Sequence, residues 1–177
     1  MPKEETARVI FSFANSNTFT IPPIRETLLK FIVEGLWLDP FANNMNIKED
    51  LPDEVNYVTN DLNPKFNTTY NEPQEIFLAR HVGKNVMGIV VDPPYSISKT
   101  KRLYDSIGII PDGWKGHDLY HTARKYARMI RPLYYIQLGW NSNGPGKKLF
   151  QKIDHLLVPH GSSRNDTIMT VWKLKKP

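Results

Sequence analysis

Met87-Gly88-Ile89-Val90-Val91-Asp92-Pro93-Pro94-Tyr95-Ser96 is the stretch that decides the fold. Its apolar half has the length and the β-branched content of a buried strand. Two prolines then end regular structure, because neither carries a backbone N–H and each fixes its own φ. A carboxylate therefore stands at the tip of an apolar strand, followed by a rigid corner and an aromatic ring. Burying a carboxylate is costly, so Asp92 needs a reason to be there. A plain turn is one reason, since Asp-Pro is a common turn opener. An acceptor placed at the mouth of a site is the other.

Working outward, the same punctuation recurs. Leu36-Trp37-Leu38 reads as a short strand closed by Asp39-Pro40-Phe41-Ala42-Asn43-Asn44, and Tyr57-Val58-Thr59-Asn60-Asp61 as a third strand ending in an acid. In a parallel α/β sheet, ligands bind beyond the carboxyl ends of the strands. Three strands that end in acids predict one shared rim. Asp61 follows Asp39 by about 20 residues, the interval at which such folds grip a ribose. Between strands, Thr20 is a candidate N-cap for a helix whose stripe is Ile24, Leu28, Leu29 and Ile32, and Gly35 would end it. Glu75–Val82 can form a short helix, and His117–Arg131 reads as a longer one with Leu119, Ala123, Tyr126, Ala127 and Ile130 on its apolar stripe. Arg8–Phe13 reads as a short strand or a docked arm, and Pro132–Leu138 as a strand. Lys152–Val158 and Thr167–Trp172 alternate and would close the chain as a hairpin. The prediction is an α/β protein with a doubly wound sheet and a terminal antiparallel β-hairpin.

Composition sets the bounds. With 177 residues, 40% of them hydrophobic and 23% charged, the chain is expected to form one domain over residues 1–177. No apolar run approaches a membrane span and Met1-Pro2-Lys3-Glu4-Glu5 is not a signal-peptide start, so a cytoplasmic setting is expected. The absence of cysteine excludes disulfides, thiolate metal sites and thiol nucleophiles. A net charge of +5 permits a polyanionic partner. His117 and His121 have the spacing of a zinc pair, but Asp118 stands where the usual Glu would be and no third ligand is evident, so no metal is assigned. His155 and His160 read as structural, and Trp140 as a packing residue, with Asn141 and Asn143 beside it able to face a cleft.

The motifs resemble those of bacteriophage-type DNA N6-adenine methyltransferases across nearly the whole chain. Asp92-Pro93-Pro94-Tyr95-Ser96 resembles their catalytic motif. Asp39-Pro40-Phe41-Ala42 resembles the first cofactor motif, and Thr59-Asn60-Asp61-Leu62-Asn63-Pro64 the ribose-binding segment. Thr18-Phe19-Thr20-Ile21-Pro22-Pro23-Ile24 resembles the segment lining the methionine end of the cofactor. Gly139–Gly144 and the stretch from His160-Gly161 to Asn165-Asp166-Thr167-Ile168 resemble the end of the fifth strand and the closing hairpin. The resemblance implies a Rossmann-like methyltransferase fold and S-adenosyl-L-methionine as cofactor. It implies cofactor contacts from Thr20, Ile21, Asp39, Pro40, Phe41, Ala42, Asn43, Asp61, Leu62 and Asp92. Catalysis would fall to Asp92, Pro93, Pro94 and Tyr95.

In that chemistry the adenine amine is a poor nucleophile, because its lone pair is delocalised into the ring. Asp92 and the Pro93 carbonyl would accept its two N–H bonds, and Tyr95 would stack on the extruded base. Ser96, Lys99, Lys101 and Arg102 follow directly and would meet the nucleic acid, the basic ones through phosphates; a solvated helix face is the plain alternative. Cytosine C5 methylation is excluded, since it requires a cysteine. The chain also departs from the family. Asn43 and Asn44 stand where many relatives carry glycines, although Asn tolerates positive φ best among the other residues. Either Glu72 or Glu75 would contact the cofactor's adenine ring. No target-recognition insertion is present, so selectivity would be low, short, or supplied by a second copy or another subunit. The implied function is N6-adenine methylation of DNA, in the bacterial host cytoplasm if phage-encoded. RNA as substrate and a non-catalytic methyltransferase-fold subunit remain as alternatives.

Overall fold

A computed structural model describes residues 6–15, 17–44, 47–94, 108, 116–161 and 165–176. In chain order the elements are β1 (Thr6–Val9), α1 (Pro22–Phe31), β2 (Gly35–Asp39), β3 (Val55–Thr59), α2 (Gln74–Ala79), β4 (Gly88–Val91), α3 (Gly116–Ile130), β5 (Tyr134–Gly139), β6 (Phe150–Val158) and β7 (Thr167–Leu174), with short 3-10 turns at Thr18–Thr20 and Lys48–Asp50. Seven strands form one sheet in the order β1-β6-β7-β5-β4-β2-β3. The chain steps from β2 out to β3, then returns to β4 on the other side of β2. That reversal makes the carboxyl ends of β2 and β4 the switch point where open α/β sheets bind ligands. β7 lies antiparallel between β5 and β6, as the alternating hairpin predicts, and β1 adds a parallel edge strand beside β6.

Strand periodicity sorts the core onto two faces. Trp37, Tyr57, Val90, Ile136 and Leu138 pack with α1 residues Ile24 and Leu28. Their neighbours Leu38, Ile89, Val91 and Tyr135 pack with Phe77 and Leu78 of α2 and Leu119, Ala123 and Ala127 of α3. β4 is buried on both faces, which is why it reads as an unbroken apolar run. The β1 edge is tied down by Arg8, which donates to buried Asp154 at 2.9 Å and to Thr27 on α1 at 3.0 Å. No described helix is long and apolar enough to cross a membrane.

Several local expectations are corrected. Thr20 does not cap α1: the N-cap is Ile21, and the Thr20 hydroxyl donates to Asn17 O at 2.8 Å inside its own turn. The two prolines open the helix without a side-chain cap, since their missing N–H groups need none. Gly35 opens β2 at φ +119° instead of ending the helix, which stops at Phe31. Leu29 falls off the buried stripe. The 75–82 helix is shorter, at Gln74–Ala79, and Asp61 sits two residues beyond the end of β3. Arg8–Phe13 is both things at once: strand through Val9, then an arm that keeps hydrogen-bonding to β6. The basic stretch from Ser98 lies outside the described residues up to Gly108.

The packing around β4 has one fixed dimension. A Cβ on Gly88 would come within 2.1 Å of the fully buried Trp37 ring, which itself stacks on Tyr134. Gly88→Ala should therefore lower stability by at least about 1–3 kcal/mol, the cost of overpacking a filled core. A urea midpoint equal to that of the unmodified chain would refute this packing.

Candidate active site

The site begins with a buried acid. Asp39, the last residue of β2, is 1% exposed. Its Oδ1 accepts from the Phe41 N–H at 3.0 Å and its Oδ2 from the Tyr57 hydroxyl on β3 at 2.9 Å. The first bond folds the chain into a corner over Pro40, and the second fastens that corner to the neighbouring strand. Burial pushes the Asp39 carboxyl up to about 7; the Phe41 and Tyr57 hydrogen bonds work against this, and the charges of Asp92 and Asp61 reinforce it. Tyr57 is pushed well above the usual phenol range, first by burial and then by Asp39.

The loop after β3 locks onto the same corner. Asp61 accepts from Asn43 N–H at 3.1 Å through Oδ2 and from Asn63 N–H at 2.8 Å through Oδ1. Burial raises its carboxyl as well, against those two backbone bonds. Asn43 takes the left-handed φ of +49° that the corner requires, which Asn tolerates in place of glycine. Asn60, buried between the loops, donates to Pro40 O and Glu72 O and accepts from Glu72 N–H. Sequence pattern singles out neither Asn60 nor Tyr57 as a site residue. A lone Asn beside an acid and a strand Tyr carry no spacing signal, so only the three-dimensional latch reveals them.

Asp92 completes the rim. It is half-buried, directly after β4, while Pro93 and Pro94 are buried. Its charge reaches Asp39, Tyr57 and Tyr120. Tyr120 of α3 lies beneath this end of the sheet: its hydroxyl donates to Leu138 O at 2.9 Å, and a Cβ on Gly139 would stand 2.5 Å from it. Burial holds Tyr120 protonated, with the Asp92 charge acting in the same direction. Arg124, one turn on, sits over the Tyr120 ring and donates to Gln137 Oε1, which Tyr135 also reaches.

The structure thus brings Asp39, Pro40, Phe41, Ala42, Asn43, Asp61 and Asp92 to one rim. Leu62 is half-buried in the loop beside Asp61, and Ile21 is buried in the core on the α1 face. Thr20 keeps its hydrogen bonds within its own turn. Glu72 is held by Arg80 through bonds of 2.7 and 3.0 Å, and Glu75 is exposed. Tyr95, Ser96, Lys99, Lys101 and Arg102 lie outside the described residues. His160 is structural, bonded through its ring to Ser12 O and Thr167. Trp140 is not core packing: it is 46% exposed at the end of β5.

Chemically, three successive N–H groups of the first turn are turned inward, away from any anion. The Phe41, Ala42 and Asn43 N–H groups are consumed by Asp39, Asn60 O and Asp61 in turn. A dinucleotide site needs such N–H groups free for its phosphates. Asp61 and Asp92, beside buried Asp39, instead contribute acceptor oxygens to the rim. That suits a ligand carrying hydroxyl donors and positive charge.

No family model matches the sequence, and no curated protein matches it significantly. Solved structures do match in fold. The N-methyltransferase NodS from Bradyrhizobium japonicum WM9 superposes with TM-score 0.56 at 10% identity, covering 92% of this chain and 100% of its own. NodS has also been solved in complex with S-adenosyl-L-homocysteine, matching at TM-score 0.56 and 12% identity over 92% of this chain and 94% of its own. A candidate methyltransferase, YhhF from Escherichia coli, matches at 0.51 and 14% identity over 96% of this chain and 98% of its own. The chain therefore has the Rossmann-like methyltransferase fold, closed by the antiparallel β6–β7 hairpin.

The raised Asp39 carboxyl has a consequence for stability. Its folded form holds the proton more tightly than the unfolded chain does, so stability should fall as pH rises from about 4 to about 7 and stay low above. At 1.36 kcal/mol per decade the upper limit is roughly 4 kcal/mol. Asp39→Asn keeps an acceptor for Phe41 without the charge. Urea unfolding should show a flatter pH dependence for Asp39→Asn and greater stability than the unmodified chain at pH 8; parallel pH curves would contradict the assignment.

Proposed function

We propose that the chain is an S-adenosyl-L-methionine-dependent methyltransferase acting on the N6 amine of adenine in DNA. One observation carries this reading. Asp92 directly follows β4, the strand beside β2, and its charge reaches Asp39 at the corner whose Phe41, Ala42 and Asn43 N–H groups are turned inward. The methyltransferase fold and the bound product in NodS agree with it.

The residues fit the cofactor through their unused lone pairs. Asp61 spends one lone pair of each oxygen on Asn43 and Asn63, leaving others for ribose hydroxyls. The corner from Asp39 to Asn43 and the neighbouring Leu62 would wall the adenosine, while Thr20 and Ile21 would face the methionine end. Bound S-adenosyl-L-methionine supplies an electrophilic methyl group on a sulfonium. Asp92 and the Pro93 carbonyl would accept hydrogen bonds from the two amine hydrogens, localising the nitrogen lone pair. Asp92, or water, would take the proton that the amine gives up on methylation. Pro93 and Pro94 hold both acceptors at fixed φ, so the gain is largely positioning. Tyr95 would stack on the extruded base. Ser96, Lys99, Lys101 and Arg102 would meet the backbone. Residues 1–177 hold no recognition insertion between these elements, so on their own they would have low or short sequence selectivity unless a partner supplies it.

Transfer of labelled methyl from the cofactor onto DNA, RNA and single strands tests the reading, with N6-methyladenine in DNA as the expected product. Asp92→Ala should slow single-turnover transfer by about 100- to 10,000-fold while its thermal melt stays near the unmodified value, and Asp92→Asn should retain little activity. A folded Asp92→Ala chain that methylates at the unmodified rate would sink the mechanism; label found only in RNA would transfer the assignment to RNA.

A further inference from the structure

The carboxyl rim does not stop at Asp92. Beyond β4 the sheet continues through β5, β7 and β6 to β1, and β4, β5, β6 and β1 all run the same way. The registers link Gly139 to Ile168, Ile168 to Leu157 and Leu157 to Val9. Trp140 and the arm that starts at Ile10 therefore rise from one rim, at one level. The arm stays in place through Ile10 N–H to Leu157 O at 3.0 Å and Ser12 N–H to Pro159 O at 3.1 Å.

Large rings are exposed along this rim: Trp140 at 46%, Phe11 at 57% and Phe13 at 80%. Phe11 and Phe13 meet edge to face at 5.3 Å, and Phe11 leans on Gly161. Small and polar residues accompany the rings, as Phe11-Ser12-Phe13-Ala14-Asn15 and Trp140-Asn141-Ser142-Asn143. Asn15 and Asn141 each fold a tight turn by accepting from the N–H two residues on. Four strand spacings of about 4.8 Å separate β4 from β1, roughly 19 Å in all. That is the span of about five bases at 3.4 Å each.

We propose that Trp140, Phe11 and Phe13 form a stacking track for unpaired bases flanking the target, so that the favoured substrate is single-stranded nucleic acid. The inference rests on the reading of Asp92 as the acceptor site. Every base has a π-face, so aromatic rings hold single strands without reading sequence. Three things favour this occupant: exposed rings flanked by the amides of Asn15, Asn141 and Asn143, the continuity of the rim with Asp92, and a chain of net charge +5. The rival occupant is a second copy of this chain, pairing through the β1 edge.

Fluorescence anisotropy on the full chain, with a short labelled DNA single strand and the matching duplex, separates them. Trp140→Ala and Phe13→Ala should each weaken single-strand binding by about 5- to 150-fold, Phe13→Tyr should preserve it, and duplex binding should change far less. Thermal melts establish that each variant is folded. Single-strand affinity unchanged in both alanine variants would overturn the track. So would sedimentation showing a dimer that Phe13→Ala splits with no loss of oligonucleotide affinity. Calorimetry with S-adenosyl-L-methionine on the same proteins keeps the two readings apart: failure to bind the cofactor, with single-strand binding still dependent on the rings, counts against the methyltransferase reading alone.

Discussion

The buried carboxyl of Asp39 is the constraint around which the carboxyl rim is arranged. A carboxyl group at 1% exposure persists only with its oxygens satisfied. Here one oxygen bends the chain after β2 and the other ties that bend to Tyr57 on β3. Once the bend is fixed, Asn60 can bridge Pro40 to Glu72, and Asp61 can accept from Asn43. Asp92 then stands on the adjoining strand, close enough for its charge to weigh on Asp39. Removing any one of these acceptors would leave a backbone N–H or a hydroxyl without its partner, a penalty of about 1–3 kcal/mol when buried.

Much of this architecture is legible in the sequence because burial writes strong patterns. β4 is apolar throughout because helices cover both its faces, and β6 alternates because its faces differ in burial. Of the three acids, Asp39 ends its strand, while Asp92 follows β4 directly and Asp61 lies two residues past β3; all three still gather at one rim. Other features leave no such trace. Thr20 looks like a cap by residue type, yet two prolines remove the N–H groups a cap would serve. Gly35 looks like a helix stop, but its positive φ belongs to the entry into β2. Trp140 reads as a packing residue, and its position just past the last residue of β5 leaves it half exposed. Asn60 and Tyr57 act through partners far along the chain, which no local pattern encodes.

The corner also decides what kind of ligand the rim can take. A turn whose successive N–H groups face outward binds phosphate; this turn directs three of them inward to Asp39, Asn60 and Asp61. What remains outward is acceptor capacity and negative charge, a match for hydroxyls and cations. The same logic carries to Asp92, whose rigid proline corner presents acceptors to an amine. Fold likeness at 10–14% identity establishes architecture, and the acceptor-lined rim supplies the chemical argument for a sulfonium cofactor.

Calorimetric titration of the intact chain with S-adenosyl-L-methionine, set beside NAD and ADP under the same conditions, tests that argument most directly. The account predicts saturable one-to-one binding of S-adenosyl-L-methionine and no competition from either phosphate-bearing ligand. Binding of NAD or ADP without binding of S-adenosyl-L-methionine would contradict it.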